Sequence, residues 1–185
     1  MSSTWDAISL TPNMLNHING IAPIKVQGDI AMLASRHGSK PTYAERINER
    51  LKVKRPKSLT IRKLSYFSDN EGKTRVIGIL DYWSQTLLKP IHDSLNGILR
   101  KIPEDCTFDQ ASFHSKLPTQ STYYSFDLSN ATDRLPALMQ RDLLEHIYDK
   151  NLADNWYGIM VSEPFVTKGS SVKYQTGQPM GAYSS

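Results

Sequence analysis

Ser125-Phe126-Asp127-Leu128-Ser129-Asn130-Ala131-Thr132-Asp133-Arg134 is the stretch on which the reading of this chain turns. Thr122 to Phe126 has the β-prone composition of a short strand, and such a strand would deliver Asp127 at its C-terminal end. A carboxylate there is well placed to hold Mg²⁺, which takes a few carboxylate oxygens and leaves its other positions to water and substrate phosphate. Asp133, after a turn, would face the same pocket without binding the same ion. Spacing leaves a second reading open, with Asp127 a turn residue and Asp133 a helix N-cap.

Downstream, a helix is expected from Asp133 or Arg134 to Asp149, with Leu135, Leu138, Met139, Leu143, Leu144 and Ile147 facing inward and Pro136 tolerated in the first turn. A further helix covers Leu152–Met160. Phe165–Thr167 and Val172–Gln175, around Lys168-Gly169-Ser170, read as a hairpin. Upstream, residues 103–121 look loop-rich. Leu87, Leu88, Ile91, Leu95, Ile98, Leu99 and Ile102 share one helical face, and Pro90 bends that helix or marks its start. Before it, Thr60–Phe67 and Lys73–Leu80 flank the turn residues Ser68-Asp69-Asn70-Glu71-Gly72, a second hairpin. Short helices fit Asn13–Asn19, with Thr11 as cap and Pro12 in the first turn, Ile30–Ser35 and Tyr43–Leu51. The predicted class is α+β.

Charge is distributed unevenly. Residues 25–75 carry thirteen Lys/Arg against five Asp/Glu, a net of +8, whereas residues 76–185 carry nine against twelve. That asymmetry suits an anionic partner for the front and a cation-binding or catalytic role for some rear carboxylates, although a solvated basic face has the same composition. The single Cys106 excludes an internal disulfide. The five histidines show no ligand-like spacing, so zinc is not expected. No apolar run reaches membrane-spanning length. The first 24 residues contain no Lys or Arg. Neither an Arg-rich presequence nor a secretory signal is therefore expected, and the protein should stay in the compartment that makes it.

Asp127-Leu128-Ser129-Asn130-Ala131-Thr132-Asp133-Arg134-Leu135-Pro136 resembles the first palm motif of the mitovirus RNA-dependent RNA polymerases. Gly177-Gln178-Pro179-Met180-Gly181-Ala182-Tyr183-Ser184-Ser185 resembles their second palm motif. Gly72-Lys73-Thr74-Arg75-Val76-Ile77, Asp81-Tyr82-Trp83-Ser84-Gln85 and Leu88-Lys89-Pro90-Ile91-His92-Asp93 resemble the basic fingers segment and the helix after it. The blocks stand in family order from about residue 60 onward.

The resemblance implies an incomplete fingers–palm portion of a right-hand polymerase: an N-terminal helical, basic region at 1–59, a fingers hairpin and long helix at 60–121, and a partial palm at 122–185. It implies RNA-templated nucleotidyl transfer by a two-metal mechanism with Mg²⁺ or Mn²⁺, RNA template-primer and nucleoside triphosphates as partners, and a mitochondrial location. On the matching positions Asp127 is the catalytic, metal-binding carboxylate, and Asp133 monitors the nucleotide's 2′-hydroxyl. Lys73 and Arg75 bind the triphosphate. Gly177, Gln178, Gly181 and Ser185 form a loop over template and nucleotide, where Ser184 or Ser185 stands at a sugar-contacting position.

Lys73 and Arg75 alternate along one strand and so point the same way, a pattern that a basic surface strand shares. Gly72-Lys73-Thr74 is not a nucleotide-binding P-loop, because Phe67 stands where that motif needs Gly. Tyr66 and Phe67 are candidates for base stacking, with core packing expected for at least one. A third palm motif, Gly-Asp-Asp, occurs nowhere in the sequence. The 185-residue chain alone is therefore expected to be inactive. The competing readings are a non-catalytic RNA-binding remnant of an integrated viral polymerase and an unrelated basic RNA-binding protein, which leaves the palm-like motifs unexplained.

Overall fold

The computed structural model describes residues 2–70, 72–117 and 122–184. Its order is α1 (Ser2–Ala7), α2 (Pro12–Ile21), α3 (Ile24–Ala34), α4 (Tyr43–Arg50), β1 (Lys63–Ser68), β2 (Thr74–Ile79), α5 (Tyr82–Leu99), α6 (Phe113–Lys116), α7 (Ala131–Arg134), α8 (Ala137–Ile147), α9 (Lys150–Val161), β3 (Phe165–Thr167) and β4 (Ser170–Val172). The α+β class holds. No helix among the described residues is long and apolar enough to cross a membrane.

The helix starts follow from side-chain chemistry. Thr11 accepts from the Met14 N–H with Pro12 opening α2, and Asp149 accepts from the Leu152 N–H to open α9. Thr42 and Glu45 form a reciprocal capping box on α4. Asp81, itself buried, accepts from the Ser84 N–H and hydroxyl to start α5. That cap places the start of α5 well before Pro90, which lies inside the helix.

The two hairpins join into one mixed sheet in the order β2-β1-β3-β4, with β1 parallel to β3. Beside it α2 crosses α9 closely: a Cβ on Gly158 would lie 2.3 Å from the His17 ring, so only glycine admits this approach. Met14, Ile18, Leu88, Trp156, Ile159, Met160 and Phe165 fill the core.

Arg62 ties these layers together. It is 2% exposed, at φ 62°, with its guanidinium over the Phe165 ring. Its Nη1 and Nη2 donate to the Ile159 and Met160 carbonyls at 2.6 and 2.9 Å, closing the C-terminal end of α9. Its own carbonyl accepts from the Val166 N–H at the β1–β3 junction. Burial pulls its pKa down to about 10, with Asp81 and Glu163 opposing.

Several expectations are corrected. Residues 122–128 form no strand; they run as exposed coil. The single helix expected from 133 or 134 to 149 is two, because the residue before a proline is disfavoured in helical conformation. Leu135 is extended, and Pro136 stands at the N-cap of α8. Most of the apolar residues expected inward there face out. Leu138, Met139 and Leu143 are 57, 54 and 57% exposed, while Ala137 and Leu144 make the buried contact. Ile98 and Ile102 at the far end of the α5 face are also exposed, as are both Tyr66 and Phe67.

Candidate functional site

The turn after Leu128 sets the site. Asn130 adopts left-handed backbone at φ 55°, which its short polar side chain tolerates, and α7 follows as a single turn. The Leu135 N–H bonds the Ala131 carbonyl at 2.8 Å to close it. Asp127 is exposed and lines an open cavity of about 320 Å³ with Ser129, Arg134, Leu135 and Pro136. Asp133 is exposed on α7. Its charge helps burial push the Tyr174 phenol above its ordinary range, so the two side chains belong to one electrostatic neighbourhood.

Residues 176–178 lie directly on this turn. The Gln178 N–H donates to the Thr132 carbonyl at 3.0 Å, and the Ala137 N–H donates to the Thr176 carbonyl at 2.7 Å. A Cβ on Gly177 would sit 2.3 Å from the Asp133 and Thr132 backbone, so glycine is what lets the two segments touch. Gln178 is buried. Its amide nitrogen donates to Gln140 Oε1 at 2.8 Å, while its own Oε1 lacks a partner.

Beyond it the chain crosses to the hairpin and α5. The Gly78 N–H donates to the Met180 carbonyl at 2.7 Å, and Gly181, at φ 110°, packs on the Gly78 carbonyl. Gln85 Nε2 donates to the Gly181 carbonyl while Gln85 Oε1 accepts from the Tyr183 N–H. Ser184 Oγ accepts from the Trp156 indole at 2.8 Å, a structural bond at a position considered for sugar contact. Ser185 lies outside the described residues.

Lys73 and Arg75 sit at the tip of the first hairpin, on exposed backbone. Lys73 immediately precedes β2 rather than belonging to it. Asp69 organises this tip: one carboxylate oxygen accepts from the Lys73 N–H and the other from Arg75 Nε, both at 3.0 Å. A triphosphate reaching Arg75 has that carboxylate to displace.

Among the described residues no group of three or more His, Cys, Asp or Glu side chains comes together to hold a metal ion. One exposed carboxylate does not make a Mg²⁺ centre, because this ion parts with its water reluctantly.

Comparison with known proteins adds a family to this geometry. A family model described as Mitovirus RNA-dependent RNA polymerase matches residues 1–185. The RNA-directed RNA polymerase of Cryphonectria parasitica mitovirus 1 is 37% identical over 129 residues, 66% of this chain and 16% of the viral protein. An uncharacterized mitochondrial protein of Arabidopsis thaliana is 31% identical over 97 residues, 48% of each chain. The matched part thus spans about a sixth of the viral relative and about half of the plant one. No solved structure matches.

Proposed function

Because this chain belongs to the mitovirus RNA-dependent RNA polymerase family, we propose that it is part of a mitochondrial RNA-templated RNA polymerase. In this reading residues 60–121 contribute fingers and 122–185 part of the palm, with 1–59 a basic helical region ahead of them. The observation that carries it is the seating of Gly177 and Gln178 on the Thr132–Asp133 backbone. Two segments that resemble separate palm motifs are thereby neighbours, and Asp127 shares an open cavity with Ser129, Arg134 and Pro136 of the first.

In the complete enzyme Asp127 supplies one carboxylate to a two-metal Mg²⁺ or Mn²⁺ centre. Asp133 faces the ribose, and Lys73 and Arg75 meet the triphosphate. Gly177, Gln178, Gly181 and Ser185 border template and nucleotide. Gln178 acts from beneath, since it is buried with its N–H on the Thr132 carbonyl and its amide nitrogen on Gln140, and so holds the loop in place. The remaining metal ligands are the carboxylates of a Gly-Asp-Asp motif, which this sequence lacks. The short chain alone therefore does not polymerise RNA.

The test is primer extension with Mg²⁺ or Mn²⁺, comparing this chain with one extended through the third palm motif, Gly-Asp-Asp, and thumb that the family resemblance implies. The extended chain should incorporate nucleotides, the short one should not, and Asp127→Ala in the extended chain should reduce the rate by several powers of ten. Incorporation by the short chain refutes the proposed inactivity. An inactive extended chain that still binds RNA leaves the non-catalytic remnant as the reading. RNA binding is checked separately. Affinity for single-stranded RNA should fall steeply with salt through counterion release, and Lys73→Ala or Arg75→Ala should each lower the salt slope by about 1.

A further inference from the structure

The strand register sorts the side chains of the sheet onto two faces. Leu64 opposes Gly78 across the first hairpin, and Phe165 opposes Val172 across the second. Phe165 is fully buried, and a Cβ on Gly78 would lie 3.0 Å from its ring, so this face is the one turned to the core. The alternate positions make up the other face. Ile79, Lys63, Val166 and Ser171 form one row across all four strands, Ile77 with Ser65 the next, and Arg75 with Phe67 the one nearest the hairpin tip.

Solvent reaches this outer face. Ile79, Phe67 and Val166 are 50, 49 and 39% exposed, and Lys63 and Arg75 are exposed with them. Ile77 is half-buried because Gly181 lies against it, where a Cβ would stand 3.2 Å from Ile77 Cγ2. None of the four strands contains an Asp or Glu, and their two cations, Lys63 and Arg75, both fall on the outer face. Two carboxylates stand at its corners. Asp69 holds Arg75 Nε at the hairpin tip, and Asp6, which accepts from the Tyr82 N–H, lies within the field of Lys63. An exposed ion pair such as Arg75–Asp69 contributes little in water, so it is no barrier to another anion.

We propose that this outer face is a docking platform for single-stranded RNA, on which Phe67 stacks a base and Lys63 takes a backbone phosphate. Every base has a π-face, so an exposed aromatic ring holds a strand without reading its sequence while nearby cations track the backbone. At about 3.3 Å per residue, Lys63 and Phe67 stand about 13 Å apart along β1, far enough to engage different nucleotides of one extended strand. Charge selects the occupant: the strands carry cations and no carboxylate, within a stretch of net charge +8. RNA rather than another single-stranded nucleic acid rests on the polymerase reading, in which Gly181, against Ile77 at the rim of the face, borders the template. The register also separates two adjacent aromatics. Tyr66, although 60% exposed, belongs to the opposite face with Leu64 and takes no base.

The test is binding of a fluorescein-labelled oligouridylate to the full-length chain, followed by anisotropy without nucleotides or divalent metal. Phe67→Ile keeps the strand preference and the apolar area but removes the π-face. It should melt with the wild type and bind roughly tenfold more weakly, with an unchanged salt slope. Phe67→Trp should bind at least as well as the wild type. Tyr66→Ile, one residue away and on the other face, should leave the affinity unchanged. Lys63→Gln should lower the salt slope by about 1. Val166→Glu places a carboxylate in the middle of the face and should weaken binding as Phe67→Ile does.

Equal losses from Phe67→Ile and Tyr66→Ile, an unchanged affinity in Phe67→Ile or Val166→Glu, or no RNA binding at all overturns the platform. So does a wild-type dimer that Val166→Glu dissociates without weakening RNA binding, which makes the face a contact between copies. Because the assay contains neither nucleotides nor metal, an extended chain that fails to polymerise leaves the platform standing. A failed platform likewise leaves the primer-extension result as it is.

Discussion

Arg62 shows how one side chain holds distant parts of the chain in register. Replacing it with alanine leaves two α9 carbonyls and a buried space unfilled, and about 3 kcal/mol of stability should be lost. Arg62→Lys should rescue little, since a single ammonium cannot span both carbonyls as the guanidinium fork does. Chemical denaturation of the three proteins checks this. Nothing in the basic run marked Arg62 apart from its neighbours, because sequence records charge and not burial. Asp127, Asp133, Gly177 and Gly181 were singled out by resemblance, and the close approaches at the two glycines give glycine at those positions a physical reason. The Gln140–Gln178 amide pair was not legible. It depends on a contact between segments far apart in the chain.

Secondary elements with strong local signals were readable, and those defined by what packs on them were not. The α4 capping box is local, and its energetics should follow pH. Hydrogen bonds from the Thr42 N–H, ahead of the weaker one from its hydroxyl, hold the Glu45 carboxyl below its ordinary value. Its contribution is thus present in full above the unfolded value near 4.5 and is lost as pH falls through the lower folded value. Thermal melts of wild type and Glu45→Ala should differ at pH 6 and converge toward pH 3. Thr42→Ala should cost about 1 kcal/mol at neutral pH.

On α8 the 3.6-residue period was read correctly as a helix and wrongly as a buried face. The observed contact runs through Ala137 and Leu144, leaving Leu138, Met139 and Leu143 in solvent. Leu138→Gln with Leu143→Gln should therefore change stability by less than about 0.5 kcal/mol, whereas Trp156→Ala should cost about 3–5 kcal/mol. Equal losses in the two proteins would show that the outer face is covered.

The whole molecule depends on pairings that no short window of sequence reveals. Both hairpins were visible as separate units, but their union through parallel β1 and β3 was not, because local pattern carries no information about partners a hundred residues away. The same long reach governs when the molecule can form. On a ribosome, α2 emerges long before α9 exists to receive it, and the Arg62 guanidinium is made before the carbonyls that will bind it. The docking of α2 and of Arg62 therefore waits until α9 has left the exit tunnel, while α1, α3, α4, α5 and the first hairpin already have partners among themselves. Nascent chains arrested at Tyr148 should be cut by protease around α2 and Arg62, whereas chains arrested far enough on for β4 to have emerged should resist there. During that interval the growing chain has a high positive charge, so its own messenger is the nearest polyanion within reach.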